Sequence, residues 1–150
     1  MKKFFAIFLI AFLAMCMFVS CDSDDSDEPY TTATYVFSNN NMMSAKIYGE
    51  NVYNVNSLSA SYSGTYNPTD NTHGTYSYQC TEVKVDGVAQ YLPSMPTVTG
   101  SYSMVSNNTL IVNEAGVTIT LTRKTSGSGI VGTWEAYINT DNYNNIVIDY

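Results

Sequence analysis

The sequence predicts an all-β fold, an antiparallel meander closing into a small barrel, preceded by a signal-peptide helix and a disordered tether. Three observations carry this. After the apolar leader, Leu occurs only at positions 58, 92, 110 and 121, while Val, Ile, Thr and Tyr dominate. Such β-branched and aromatic side chains suit a pleated, half-buried surface. Short alternating runs are separated by Asn, Gly, Asp and Pro, the punctuation of a meander, sandwich or barrel. A Gly-Thr/Ser-aromatic motif occurs four times, as Gly64-Thr65-Tyr66, Gly74-Thr75-Tyr76, Gly100-Ser101-Tyr102 and Gly132-Thr133-Trp134. Its irregular spacing excludes a solenoid repeat. Glycine permits tight entry to a strand, and an aromatic two residues later can cover its own end of the core.

Residues 1–20 read as a signal peptide. Lys2 and Lys3 supply a positive start, and Phe4 to Val19 is an uninterrupted apolar run of 16 residues. That layout is an export signal, and the run is shorter than the ~20 residues that span a bilayer core. Residues 21–29 follow as Cys21 and an acidic tether. Asp22 to Glu28 holds five acids in seven residues and no apolar side chain, so it stays extended and solvated. Calcium held by this run would be weak, because nothing fixes the ligand geometry.

Residues 30–150 make the β domain. Thr31 to Ser38 is the first expected strand, ended by Asn39-Asn40-Asn41. Ala45 to Tyr48 and Val52 to Ser57 are expected to pair across a turn at Gly49-Glu50-Asn51, and Ser59 to Tyr66 to continue the sheet. Gly74 to Val85 places Tyr76, Tyr78 and Cys80 on one face. Val83 and Val85 have the opposite parity, so a bulge is expected near Cys80 to Glu82. Asp86-Gly87 is a two-residue turn signal before a short return strand, Val88 to Tyr91. The prolines at 93 and 96 keep Leu92 to Pro96 out of a sheet. From Val98 to Lys124 the pattern is clearest. Tyr102 and Met104 share a face, Asn107-Asn108 turns, and Thr109 to Asn113 runs back. Val117, Ile119 and Leu121 then point to the core while the threonines face water. Thr125 to Gly129 reads as a flexible linker by composition. Ile130 to Ile138 and Asn145 to Tyr150 form an expected last hairpin, within residues 130–150, that can close the barrel.

Removing residues 1–20 from the 150 leaves 130, enough for one domain with a real core. Six basic residues then fall to four against 13 acidic ones, a net charge near −9. This balance argues against nucleic acid, whose phosphates demand Lys and Arg, and against electrostatic docking on anionic lipid. Cys16 leaves with the leader, so Cys80 has no disulfide partner once Cys21 is modified, and it reads as a small core residue. His73 is the only histidine. Without a second His or a Cys cluster there is no transition-metal site to propose, and no cofactor site is evident.

Phe18-Val19-Ser20-Cys21 resembles the lipobox of bacterial lipoproteins, with Ser20 at the small position and Phe18 where Leu is usual. The resemblance implies cleavage between Ser20 and Cys21 and a diacylglyceryl group on the Cys21 sulfur, usually with acylation of the new amino group. Two or more chains make a lasting anchor, at ~0.8 kcal/mol per buried CH₂. The acidic run is a plain spacer on one reading. It also resembles the surface-export addresses of some diderm lipoproteins, whereas an Asp after the cysteine resembles an inner-membrane retention mark in enteric bacteria. Outer membrane or cell surface is the preferred location.

Gly74-Thr75-Tyr76-Ser77-Tyr78, Gly100-Ser101-Tyr102-Ser103-Met104 with Asn108-Thr109-Leu110, and Val117 to Thr122 resemble bacterial lipocalin-like domains. Ile130-Val131-Gly132-Thr133-Trp134 resembles that group's opening strand, with its Gly-x-Trp. The resemblance implies an antiparallel barrel with a central cavity. In the family the Gly-x-Trp strand comes first, whereas Trp134 lies near the end of this chain. The last hairpin closes the barrel beside Thr31 to Ser38, begins a second copy, or matches by accident. The apolar residues Ile130, Val131, Trp134, Ile138, Ile146 and Val147 need burial, which favours closure.

Glu82, Glu114, Glu135 and Asp149 are scattered, with no spacing of a paired acid and base. His73 reads as a solvated loop residue, and Gly127-Ser128-Gly129 is a linker, not a nucleophile elbow. No enzyme activity is expected. The 13 tyrosines all follow the leader and offer apolar area with a polar tip, suited to strands, wet cavities, glycans and partner proteins alike. Tyr76, Tyr78, Tyr102 and Trp134 are the candidate cavity or ligand contacts. Threonine and serine on the outward positions argue against a transmembrane barrel. The expected function is a lipid-anchored envelope module that binds a small molecule or glycan. The alternative is a structural or interaction lipoprotein whose barrel is filled by its own side chains.

Overall fold

Period-two alternation dictates the architecture, because each strand has one face to bury and barrel closure gives all of them the same interior. The computed structural model describes residues 30–52, 55–91, 97–114 and 116–138. They form β1 (Tyr30–Phe37), β2 (Met42–Val52), β3 (Val55–Pro68), β4 (His73–Val85), β5 (Val88–Ala89), β6 (Val98–Ser106), β7 (Thr109–Glu114), β8 (Val117–Arg123) and β9 (Gly132–Ile138). Every pairing is antiparallel. The order is β3-β2-β1-β9-β8-β7-β6-β4, and β3 also pairs with β4, so eight strands close into a barrel. β5 is a two-residue strand on the end of β4.

Closure rests on β9. It runs beside β1 from Thr31↔Ile138 to Phe37↔Gly132, and it joins β8 through Thr122↔Glu135 and Arg123↔Trp134. Of the three placements open for the Gly-x-Trp segment, the fold adopts closure. The second arm of the expected hairpin, Asn145 to Tyr150, lies outside the described residues, as do the leader, Cys21 and the tether.

The interior follows the expected parity. Tyr35 and Phe37 of β1, Tyr76 and Tyr78 of β4, Leu110 and Val112 of β7, and Val117, Ile119 and Leu121 of β8 are buried. Thr118, Thr120 and Thr122 face out. The bulge is present: Ser61 pairs with Glu82 and Tyr62 with Cys80, leaving Thr81 as the extra residue. That one-residue slip turns Val83 toward the core. At Asp86-Gly87 both residues have positive φ, 50° and 80°, as a primed hairpin turn requires.

Three expectations are corrected. Gly49-Glu50-Asn51 is not a turn. The β2–β3 ladder passes through Gly49↔Leu58 and Glu50↔Ser57 to Val52↔Val55. Gly49 is a small buried residue inside the barrel, and Asn51 takes a left-handed φ of 54° within the strand. The segment Thr125 to Gly129 is not a free linker. Arg123 donates through Nε to Asn107 O at 2.6 Å, through one terminal nitrogen to Val131 O at 3.0 Å, and through the other to Gly129 O. Asn107 Nδ2 donates to Gly127 O, and the Thr133 amide donates to Thr125 Oγ1. Composition alone could not reveal that a guanidinium with five donors would gather these carbonyls.

The repeated motif also works differently from the expectation. In two of the four copies the aromatic covers the glycine of the neighbouring strand. Gly74 pairs with Tyr102 and Gly100 with Tyr76, so two copies of Gly-x-Tyr lie antiparallel and shield each other reciprocally. A Cβ at either glycine would collide with the partner's ring. Gly64 pairs with Tyr78, and there it is the Ser77 and Tyr78 backbone, not a ring, that stands where a Cβ would be.

Gly100→Ala is expected to lower stability by about 1–3 kcal/mol, read by urea unfolding, because the added methyl displaces the buried Tyr76 ring. Ending the chain at Gly129 removes the strand between β1 and β8, and loss of the cooperative unfolding transition is the expected result. A stable, cooperatively folded truncated domain would count against closure by β9.

Candidate functional site

The barrel axis is occupied by rings. At one end Phe37, Tyr66 and Tyr102 meet edge-on, with centroids 5.1 Å (Phe37–Tyr66) and 5.4 Å (Phe37–Tyr102) apart. Tyr66 donates its hydroxyl to Ser38 O at 2.6 Å. Toward the middle Tyr62 packs on Tyr78 at 4.9 Å, Tyr76 stacks on Tyr78 at 5.5 Å, and Tyr35 meets Tyr76 at 6.3 Å. Small residues at Ala33, Ala45, Ala60, Gly74 and Gly100 leave the room these rings take. Alternation of small and large side chains is how a small barrel fills its taper.

Within this packing lies one carboxyl. Glu114 is 2% exposed, and its Oε2 accepts hydrogen bonds from Tyr76 at 2.8 Å and from Tyr78. Among the described residues its Oε1 has no hydrogen-bond partner. The Tyr35 hydroxyl lies beside those of Tyr76 and Tyr78, with the Glu114 carboxyl nearby. Burial raises the pKa of Glu114, against the smaller opposing pull of the Tyr78 and Tyr76 hydroxyls. Burial likewise pushes the Tyr35, Tyr76 and Tyr78 phenols well up.

The four tyrosine and tryptophan positions singled out from sequence separate into three places. Tyr76 and Tyr78 converge on Glu114. Tyr102 belongs to the Phe37 end, with its hydroxyl buried, unpartnered and pushed up by burial to about 12. Trp134 is fully buried at the β8–β9 seam. Its Nε1 donates to Ile130 O at 2.9 Å, and the Arg123 guanidinium lies 4.2 Å over its ring. Cys80 is a free, part-buried thiol whose Sγ faces Glu82 O at 3.7 Å, and its burial raises the pKa.

The other polar candidates are surface features. His73 opens β4, and Asp70 accepts the backbone N–H groups of Thr72 and His73 at 2.7 and 2.8 Å. These bonds, with the His73 ring beside them, lower the Asp70 pKa to about 2. Glu82 pairs with Lys84 at 3.2 Å and Glu135 with Lys124 at 3.9 Å. Asp149 lies outside the described residues. On the outer face of β1, β2 and β9, Tyr30 stacks on Tyr137 at 5.8 Å, and Tyr30 and Tyr48 both donate to Glu50.

Across the outer side of β3, β4, β6 and β7 runs an open depression of about 420 Å³. Register builds it. Asn67, Thr75, Ser101 and Asn113 stand opposite one another across four strands, and Thr65, Ser77 and Thr99 form the adjoining rank. None of the residues lining it is charged. The inward neighbours Tyr66 and Tyr76 lie beneath.

Both features escaped the sequence reading. Glu114 is one of the scattered acids of the sequence, yet it shares parity with Leu110 and Val112, and extending that alternation two residues places it inside. The outer rank needs the inter-strand register, which no single stretch of sequence contains.

Compared with family models, with curated proteins and with solved structures, the chain matches none. The likeness to lipocalin-like domains therefore stands on architecture alone, an antiparallel eight-stranded closed barrel.

The sign of the Glu114 effect fixes a test. A carboxyl whose folded pKa is raised binds its proton more tightly in the folded state. Its stabilisation is therefore complete below the unfolded carboxylate value and lost as pH rises through the folded one. Wild-type stability is expected to fall over that rise, measured by urea unfolding at a series of pH values. Glu114→Gln should flatten the profile there, and a wild-type profile that climbs instead would contradict the buried acid.

Proposed function

We propose that this protein is a lipid-anchored cell-envelope binding module that meets its ligand, a small molecule or glycan, with the outside of the barrel. The observation that carries this reading is the outer depression, a concavity that four registered strands line with polar side chains. Tyr35, Phe37, Tyr76, Tyr78, Tyr102 and Trp134 are each at most 3% exposed and occupy the space a central ligand would need. A ligand site needs a concavity with placed polar groups, and the outer depression supplies one.

The anchor is part of the same reading. Lys2 and Lys3, the apolar run and Ser20-Cys21 support export and acylation, and the acidic residues 22–28 support a solvated leash to the bilayer. The outer membrane or cell surface is the location this favours. Nucleic acid is not a partner in this reading, given 13 acidic against six basic residues in the chain. Catalysis is not part of it either. Glu114 is sealed among tyrosines, and the remaining described acids sit on the surface.

The filled interior favours a second reading, a structural or interaction lipoprotein with no small-molecule ligand, since binding inside the barrel would need an open, tyrosine-lined cavity. Native mass spectrometry of the protein from its own host separates the two. A retained small molecule or glycan supports the binding module, whereas a ligand-free chain bound stoichiometrically to another protein supports the second. For the anchor, the mature N-terminus is expected at Cys21 carrying acyl chains, and Cys21→Ser should abolish the acyl mass. An unmodified terminus, or one elsewhere than position 21, overturns the anchor.

A further inference from the structure

Resting on the reading that recognition uses the barrel's outside, we propose that the depression across β3, β4, β6 and β7 is a binding site for neutral oligosaccharides. Its chemistry is uniform. Thr65, Thr75, Ser77, Thr99 and Ser101 present hydroxyls, and Asn67 and Asn113 present amides. Hydroxyls and amides both donate and accept, which is what a surface needs to meet a ligand whose own groups are hydroxyls, and at Asn113 the amide nitrogen is the group left, since its Oδ1 already accepts from Thr118. Adjacent strands stand ~4.8 Å apart, so each rank offers polar groups at a regular step along a flat, extended partner.

Charge decides against other ligand classes. An anionic ligand needs Lys or Arg, none lines the depression, and the chain carries a net charge of −7. A cation would need a carboxylate, and none lines it either. In so acidic a protein, a multi-strand face carrying only neutral polar side chains is selective for neutral polar matter. The volume of about 420 Å³ falls within the ~300–1,000 Å³ of small-molecule sites.

The site is built on paired strands, so little ordering is required when a ligand binds. Tyr66 and Tyr76 are 5% and 3% exposed and cannot stack a sugar ring. Affinity then comes from hydrogen bonds won against water, with a Kd on the order of 1 mM.

The test is an amide-shift titration of the isotope-labelled mature protein in detergent micelles. The probes are fragments of glucan, mannan and galactan, with sialylated and glucuronic-acid-containing oligosaccharides as charged counterparts. The variants are Ser101→Lys and Thr75→Lys inside the depression and Thr120→Lys outside it on β8, each checked for unchanged far-ultraviolet dichroism. The expected result is a saturable shift of amides 75–77 and 99–101 by at least one neutral fragment. Binding should weaken at least tenfold in the two inner variants and stay unchanged in Thr120→Lys. Absence of any saturable shift from neutral fragments up to about 20 mM would overturn the oligosaccharide assignment. Shifts centred on Tyr30, Tyr48 and Tyr137 would sink this site and leave outer-surface recognition standing. Shifts centred on the interior residues Tyr35 and Trp134 would sink both.

Discussion

Strand β1 has two sides to satisfy, and the last described strand of the chain satisfies one of them. β2 covers the near side through a hairpin, which is a local matter. The far side waits until β9 arrives about a hundred residues later. Until then β1 and β8 are open edges, and unpaired edges are costly in water and prone to wrong partners. The order of strands, the single shared interior and the burial of Trp134 all presuppose that return. Fold formation is therefore a long-range event, and loop-closure entropy must be met before the closing contacts contribute.

A closed barrel of eight strands must then fill itself. This one does so with tyrosine, using glycine and alanine on facing strands to make space. Tyrosine is an awkward filler, since each ring carries a hydroxyl into the core. Tyr66 settles its hydroxyl on a backbone carbonyl, and Tyr76 and Tyr78 settle theirs on Glu114. The carboxyl is there as an acceptor for two phenols, which gives a structural reason for an acid inside an aromatic core. The arrangement remains incomplete among the described residues, with one carboxyl oxygen and the Tyr102 hydroxyl unmatched. Such partial networks are high-stakes, because low dielectric strengthens each made bond and penalises each unmade one.

Much of this was legible in the residues. Alternation in Val117-Thr118-Ile119-Thr120-Leu121-Thr122 gave the register of β8, the parity break after Cys80 gave the bulge, and Asp86-Gly87 gave the turn. Local rules suffice where the determinant is local. They failed at Gly49, which punctuates most sequences but here is a small interior residue. They failed again at Thr125 to Gly129, where the neighbouring Arg123 overrides a flexible composition by gathering backbone carbonyls. The Gly-x-aromatic motif was noticed, but its meaning lies across the strand pair. Gly74 needs Tyr102 and Gly100 needs Tyr76. The candidate ligand face was invisible for the same reason, since its residues come from four strands and meet only after registration.

The β8–β9 seam has a further consequence. Two residue pairs join these strands, against seven between β9 and β1. Arg123 reinforces that short join by stacking on Trp134 and gathering the carbonyls of Asn107, Gly129 and Val131. The molecule is thus a cylinder with a clasp. Thermal breathing parts the wall along this line first, with Val117 to Leu121 staying on β7 and the far end of β9 staying on β1. Amide protons near the clasp accordingly exchange with solvent sooner than those on the opposite wall, where β2, β3 and β4 run long ladders.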